Sequence, residues 1–230
     1  LHPVAHSFPT RRSSDLFDSL RRQVNGGLNI AMSGIPYWTT DIGGFHGGDI
    51  DDPAFHELLI RWFQYGVFCP IMRLHGIRRQ QINPPREDPG KADPNHPTVP
   101  NEVWSYGDDV CQILSDQLRL RDRLKPYIMA QMKIAEQTGL PPMRPLFVDF
   151  PDDPQCWNVE DQYMFGGEVL VAPILAADLR KRSVYLPAGI RWRDAWTGTE
   201  YEGGATIEAD APLERIPVYL KDGSNLSLKS

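Results

Sequence analysis

The chain has 230 residues and carries 24 Lys and Arg against 30 Asp and Glu, which gives a net charge of −6 at neutral pH. A mildly acidic chain is a poor match for nucleic acid or for an anionic membrane surface, so neither is expected as a partner. The sequence also lacks an apolar run of the roughly 18–20 residues that a membrane-spanning helix needs. Three widely spaced cysteines, Cys69, Cys111 and Cys156, indicate buried or incidental thiols, because their number and spacing fit neither a disulfide framework nor a metal site.

The first 16 residues show no periodicity, and residues 7–16 match the conceptual translation of a common sequencing-library adapter. We therefore expect residues 1–16 to be non-native and to play no part in the fold. A helix is predicted next, over residues 18–32. Its apolar residues fall four apart on one face: Leu20, Val24, Leu28 and Met32.

Two short apolar runs, residues 35–38 and 68–72, are each followed at once by polar side chains. The segment between them is a predicted helix, which Asp52 caps and Pro53 opens. Its apolar face recurs at helical spacing: Phe55, Leu58, Leu59, Trp62, Phe63 and Gly66. Strand, helix and strand with polar residues at the strand ends is typical of a (β/α)8 barrel, in which functional groups lie on one rim.

Asp41, Arg73 and His75 follow the two predicted strands and should converge, with the rings of Trp38 and Phe45 beside them. Polar groups that bond to hydroxyls and flat rings that cover C–H faces together suit a sugar. Structural alternatives stay open at this point. The Asp41 side chain could cap the following glycine turn, His75 could be a buried packing residue, and Arg73 could pair with a carboxylate of the barrel.

The proline-rich residues 77–100 form a predicted long loop, which could cover the site because it leaves directly from His75. Trp104 and Tyr106 either line the same cleft or pack under this loop. Two helices are predicted next, over residues 108–124 and 126–137, with a junction at Pro126.

From Pro145 onward, the chain changes to short β-rich runs separated by turns, at residues 146–150, 168–174, 182–186 and 216–220. This spacing predicts an antiparallel sandwich with a boundary near Phe150. Trp192 and Trp196 are predicted to lie in the sandwich core, in preference to a carbohydrate-binding platform.

Several ordered motifs resemble glycoside hydrolase family 31, which contains α-glucosidases and α-xylosidases. The resemblance runs from Phe17 to about Leu220. It rests on residues 38–45 (Trp-Thr-Thr-Asp-Ile-Gly-Gly-Phe), 72–76 (Met-Arg-Leu-His-Gly), 142–145, 150–153, 162–166, 171–173, 185–187 and 216–219.

The resemblance implies an α/β fold: the C-terminal part of a (β/α)8 TIM barrel over residues 17–150, then an antiparallel β-sandwich over residues 151–230. It also implies an oligosaccharide substrate, no cofactor and no metal. Trp38, Asp41, Phe45, Arg73 and His75 would bind the non-reducing sugar. Oligomeric state and localisation stay open.

The family's reaction, hydrolysis of terminal α-xylosyl or α-glucosyl residues with retention, uses two Asp residues. By resemblance, the nucleophile would lie upstream of residue 1 and the acid/base near Arg12; Asp15 falls in the wrong register. We therefore expect no catalytic residue in this chain and no activity from it alone.

Three other readings stay open. One is a non-catalytic carbohydrate-binding protein on a degenerate barrel. Another is a metal-dependent hydrolase that uses Asp41, His46 and His75. The third is an α-glucan lyase or a transglycosylase, since the resembled family includes both.

Overall fold

The computed structural model describes residues 13–79 and 99–229. Its helices are α1 (Ser13–Met32), α2 (Pro53–Val67), α3 (Asp108–Thr138) and the single turn α4 (Leu146–Asp149). Two 3-10 turns lie at Val103–Tyr106 and Pro154–Asn158. The strands in the described residues are β1 (His46–Asp49), β2 (Ile77–Arg79), β3 (Met143–Pro145), β4 (Tyr163–Phe165), β5 (Val169–Val171), β6 (Lys181–Leu186), β7 (Arg191–Asp194), β8 (Glu200–Glu202), β9 (Ala205–Asp210) and β10 (Val218–Lys221).

Helix α1 begins at Ser13, earlier than the predicted residue 18. The earlier start has a packing reason, because Phe17 is buried one turn before Leu20 and lengthens the apolar face. Met32, which was expected on that face, is exposed at the C-terminal end of the helix. Residues 1–12 lie outside the described residues, and residues 13–16 form the first turn of α1, so the expectation that residues 1–16 are non-native stays a prediction.

Helix α2 confirms the prediction made from its first residues. The Asp52 carboxylate accepts the N–H of Ala54 at 2.9 Å, and Pro53 occupies the first turn, where its missing N–H costs nothing. Every residue from Leu58 to Val67 is buried. Helix α2 is therefore a core helix that is covered on all sides, and not an amphipathic surface helix.

The prediction of regular β-strands at residues 35–38 and 68–72 is wrong, because neither segment forms a β-ladder. The segments still run side by side in parallel: Ile71 N–H bonds to Trp38 C=O at 3.0 Å, and Ile42 N–H to Arg73 C=O at 3.2 Å. Regular pairing is reached further along, where β1 pairs with β2 in parallel. The predicted strand–helix–parallel strand order is therefore confirmed, with the strands displaced toward their carboxyl ends.

A single helix, α3, replaces the two helices predicted around Pro126. Proline removes one backbone hydrogen bond from a helix, but it does not end one whose flanks are held by packing. Leu124 and Ile128 are buried on either side of Pro126, and Gly139 closes the helix with φ of 76°.

The antiparallel sandwich is present as a six-stranded sheet in the order β3-β4-β5-β10-β7-β8, with a second sheet formed by β6 and β9. Successive side chains of a strand point to opposite faces, so the sheet takes part in two cores. Tyr163 and Phe165 pack with the helices, whereas Met164 packs against the β6–β9 sheet.

Residues 146–150, predicted as a strand, instead form the turn α4. Trp192 is fully buried in the sandwich core, as predicted.

The helices are joined to the sandwich by buried polar groups. The Arg61 guanidinium of α2 is 1% exposed and bonds to four backbone carbonyls beyond β5: those of Leu179, Ala211, Pro212 and Arg215. Burial lowers the pKa of Arg61 to about 10, because the charged form loses its hydration. Glu57 of the same helix pairs with Arg180.

No helix in the described part of the chain is both long enough and apolar enough to span a bilayer.

Candidate functional site

Residues 71–78 alternate between two environments, as an extended segment must. Ile71, Arg73, His75 and Ile77 are exposed, whereas Met72 and Leu74 pack against the helical core. We call the exposed side the open face. Because Asp41 and Phe45 lie on the neighbouring parallel segment, the open face collects polar and aromatic groups from two chain segments.

Asp41 and Arg73 meet on the open face, with 3.4 Å between Asp41 Oδ1 and Arg73 Nε. Their side chains are 28% and 49% exposed, so solvent screens the pair and it adds little to stability. The glycine turn after Asp41 is closed by the backbone, since Gly44 N–H bonds to the Asp41 carbonyl at 2.8 Å. The carboxylate therefore pairs with Arg73, and it can still accept bonds from a ligand through its remaining lone pairs.

Phe45 and His75 form the aromatic part of the open face. Their ring centroids are 5.3 Å apart and their planes are inclined by 32°. The two rings sit on adjacent segments that are joined by the bond from Ile77 N–H to Phe45 C=O. An imidazole beside a phenyl ring offers both a hydrogen-bonding edge and an apolar surface, which is the combination that a sugar ring requires.

Trp38 is placed differently from the other predicted site residues. Its indole lies against α1, where a Cβ on Gly27 would come within 2.5 Å of Trp38 Nε1, and its N–H donates to the Tyr65 hydroxyl at 2.9 Å. The small residue therefore permits the ring to pack on the helix. Burial raises the pKa of Tyr65 well above its usual value, so that hydroxyl stays protonated as a hydrogen-bonding group.

Sequence reasoning missed Arg78, which is fully buried directly behind the open face. Its Nη1 donates to Gly44 C=O at 2.8 Å and Gly47 C=O at 3.2 Å, and its Nη2 donates to Ile42 C=O at 2.8 Å. Nε is shared between Asn101 Oδ1 at 2.9 Å and Tyr106 Oη at 3.1 Å. A run of glycines whose carbonyls have no strand partner is the signal that could have suggested such a donor.

Tyr106 and Trp104 separate in the structure. Tyr106 is buried and bonds to Asn101 and Arg78. It therefore belongs to the packing under the loop and does not line the cleft. Trp104 is 69% exposed and borders a groove of about 570 Å³ that Gly76 and Ile77 also line. Most of the predicted lid, residues 80–98, lies outside the described residues.

A metal centre finds no support in the described part of the chain, where no group of three His, Cys, Asp or Glu side chains could hold an ion. The side chain of His46, one of the three residues of the metal-dependent alternative, lies outside the described atoms. All three cysteines are free thiols, and Cys69 and Cys156 are buried.

A parallel strand–helix–strand unit with polar residues at its strand ends, followed by a β-sandwich, is typical of part of a TIM barrel with an adjoining β-domain. The TIM-barrel domain of glycosyl hydrolases family 31 matches residues 12–131, and the C-terminal domain of the same family matches residues 139–226. The chain belongs to glycosyl hydrolase family 31.

Its relatives include α-xylosidases and α-glucosidases. An α-xylosidase from Saccharolobus solfataricus is 36% identical over 210 residues, which are 91% of this chain and 26% of the relative. Alpha-glucosidase 2 from Bacillus thermoamyloliquefaciens is 35% identical over 205 residues, which are 87% of this chain and 22% of the relative. The chain thus spans about a quarter of the length of these relatives.

A solved structure extends the comparison to three dimensions. The crystal structure of a family 31 α-xylosidase from a soil metagenome, complexed with xylose, is 52% identical, with a TM-score of 0.81. The similarity covers 91% of this chain and 31% of that one.

Proposed function

We propose that this chain is the C-terminal part of the catalytic barrel, residues 17–150, and the adjoining β-domain, residues 151–230, of a retaining α-glycosidase. The whole enzyme hydrolyses terminal α-xylosyl or α-glucosyl residues of oligosaccharides. One observation carries the proposal: the Asp41–Arg73 pair and the Phe45–His75 rings share the open face.

Each of these groups has a chemical role toward a sugar. The Asp41 carboxylate accepts bonds from two hydroxyls, while the planar Arg73 guanidinium donates in fixed directions and holds that carboxylate in place. His75 offers a ring nitrogen to a further hydroxyl, and Phe45 covers a C–H face. Trp38 completes the wall of the subsite from the side of α1.

Retention at the anomeric carbon needs two carboxyl groups about 5–5.5 Å apart, one as nucleophile and one as acid/base. Asp41 alone cannot serve in both roles. We assign it to sugar binding. The nucleophile would lie upstream of residue 1, and the position of the acid/base falls near Arg12, within the residues 1–16 that we expect to be non-native. The 230-residue chain by itself therefore turns over no substrate.

The relatives include enzymes that act on either sugar, at nearly equal identity: 36% for an α-xylosidase and 35% for an α-glucosidase. Both sugars are therefore assayed. The experiment is an assay of the full-length parent on nitrophenyl α-xyloside and nitrophenyl α-glucoside, beside the 230-residue chain. Activity on β-linked glycosides alone would reject the proposal, and turnover by the chain within tenfold of the parent would reject the assignment of the catalytic groups.

Two substitutions test the sugar-binding roles in the parent. Asp41→Ala and His75→Ala should each lower kcat/KM by roughly one to two decades, since a lost charge-assisted bond costs about 1.5–3 kcal/mol and these bonds strengthen in the transition state. Asp152→Ala, which removes an exposed carboxylate from the sandwich side, is the matched control and should leave the kinetics unchanged. A wild-type kcat/KM in either test variant would remove that residue from the site.

A further inference from the structure

Arg78 lies behind the open face and contacts both chain segments that form it. It follows His75 by three residues on the same segment, and it bonds to carbonyls on both sides of Phe45, those of Gly44 and Gly47. It also bonds to Ile42 C=O, immediately after Asp41. A single side chain thus connects the segment of Arg73 and His75 with the segment of Asp41 and Phe45.

We propose that Arg78 is a positioning residue of the sugar subsite: its buried guanidinium holds the loop of residues 42–47 so that Asp41 faces Arg73 and Phe45 faces His75. The expected loss of kcat/KM rests on the proposed function, whereas the expected change in the Phe45–His75 contact does not. Arg78 touches no substrate, because its side chain is fully buried.

The chemistry favours positioning over simple core filling. An apolar side chain of the same size would fill a fully buried place more favourably, because burying a charge is strongly unfavourable unless the charged group is hydrogen-bonded. Arg78 offers five N–H donors in a fixed plane, and the described acceptors are three carbonyls, the Asn101 amide oxygen and the Tyr106 hydroxyl. Buried backbone carbonyls need a hydrogen-bond donor, and Arg78 supplies one to each of the three.

Two glycines, Gly43 and Gly76, leave the space that the Arg78 guanidinium occupies. A Cβ on Gly43 would lie 2.7 Å from Arg78 Nη2, and a Cβ on Gly76 would lie 2.9 Å from Arg78 Nη1. Gly44 has nearly the same backbone angle as Gly43, with φ of 83° against 82°, but a Cβ there would meet nothing within 4 Å. The chain therefore provides an internal control, in which two adjacent glycines share a positive φ and only a Cβ on Gly43 would meet the Arg78 side chain.

The first measurement follows the Phe45–His75 contact by NMR in the 230-residue chain, through cross-peaks between the two rings. We expect Arg78→Lys and Gly43→Ala to abolish these cross-peaks and Gly44→Ala to retain them. Arg61→Lys is the second control, because it weakens another buried guanidinium that bonds to backbone carbonyls at the distant junction with the sandwich. If Arg78→Lys does not fold, the pair of glycine variants decides the outcome alone.

The second measurement is kinetic and uses the full-length parent on nitrophenyl α-xyloside. At a temperature where all variants are folded, Arg78→Lys should lower kcat/KM at least tenfold, while Arg61→Lys stays within twofold of the wild type. Ring cross-peaks that persist in both Arg78→Lys and Gly43→Ala would overturn the positioning role. A parent without α-glycosidase activity would instead overturn the proposed function, and the NMR result would still decide the role of Arg78.

Discussion

The six-stranded sheet and the paired segments of the open face differ in how completely this chain covers them. Tyr163, Met164 and Phe165 point alternately to the two faces of the sheet, and all three are fully buried. Along residues 71–78 the same alternation leaves one side uncovered: Ile71 and Ile77 are 42% and 38% exposed.

This difference shows where the fold leaves room for chemistry. The sheet gains its stability from apolar surface that is removed from water on both sides. The open face keeps polar groups and rings accessible, and its geometry depends on groups behind it such as Arg78. Substitutions in the two regions should therefore separate stability from binding.

The largest expected effect is a core cavity in the sheet. Leu170→Ala removes a fully buried side chain from the sandwich core and should lower the free energy of unfolding by about 2–5 kcal/mol. Ile71→Ala truncates an apolar residue of the open face that is 42% exposed, and it should change the free energy of unfolding by less than about 0.5 kcal/mol. Urea denaturation of the chain followed by circular dichroism measures both. Similar losses in the two variants would show that the open face is covered as well as the sheet.

A second effect, of comparable size, tests the contact between α3 and the sheet. Gly166 has φ of 67°, and a Cβ there would lie 2.1 Å from the Tyr127 hydroxyl, which donates to Phe165 C=O at 2.9 Å. Gly166→Ala should cost about 1–2 kcal/mol of backbone strain and about 1–3 kcal/mol of overpacking. Gly189→Ala, with φ of 87° and open space around it, should cost the strain alone. Equal losses of unfolding free energy would contradict the close packing.

The third effect is a pH dependence that originates at Cys69, directly after α2. Cys69 is fully buried after α2, and burial raises the pKa of its thiol to about 12 from an ordinary value of 9.0. The folded state then holds a proton that the unfolded state has lost, so stability is full below pH 9 and falls as the pH rises toward 12. The slope contributed by one such thiol is at most about 1.4 kcal/mol per pH unit.

Cys69→Ala tests this dependence, because it removes the thiol and leaves the surrounding packing almost unchanged in shape. The free energy of unfolding should fall less steeply between pH 9 and pH 11 than in the wild type. Below pH 8 the two proteins should show parallel pH profiles, separated only by the cost of the smaller side chain. An unchanged slope above pH 9 would mean that the thiol is accessible to solvent.

Much of the architecture could be predicted from local signals in the sequence. Asp52 and Pro53 mark the start of α2, since the cap and the fixed proline angle act within one turn. The order of apolar runs and turns after Pro145 indicated the sandwich, and the pairing of Asp41 with Arg73 followed from polar residues at two strand ends. The roles of Trp38, Asp41, Phe45, Arg73 and His75 in sugar binding stay predictions, as does the domain boundary at residue 150.

Only the tertiary structure decided the features that depend on partners distant in sequence. Pro126 lies inside α3 because packing on both sides outweighs one missing hydrogen bond. The parallel strands form at His46–Asp49 and Ile77–Arg79, after the apolar runs, because regular pairing depends on the partner segment more than on local propensity. Arg78 resembles a solvated charge beside Arg79 in the sequence. It is buried because oxygens from residues 42–47, 101 and 106 converge on it, and only the folded chain brings those oxygens together.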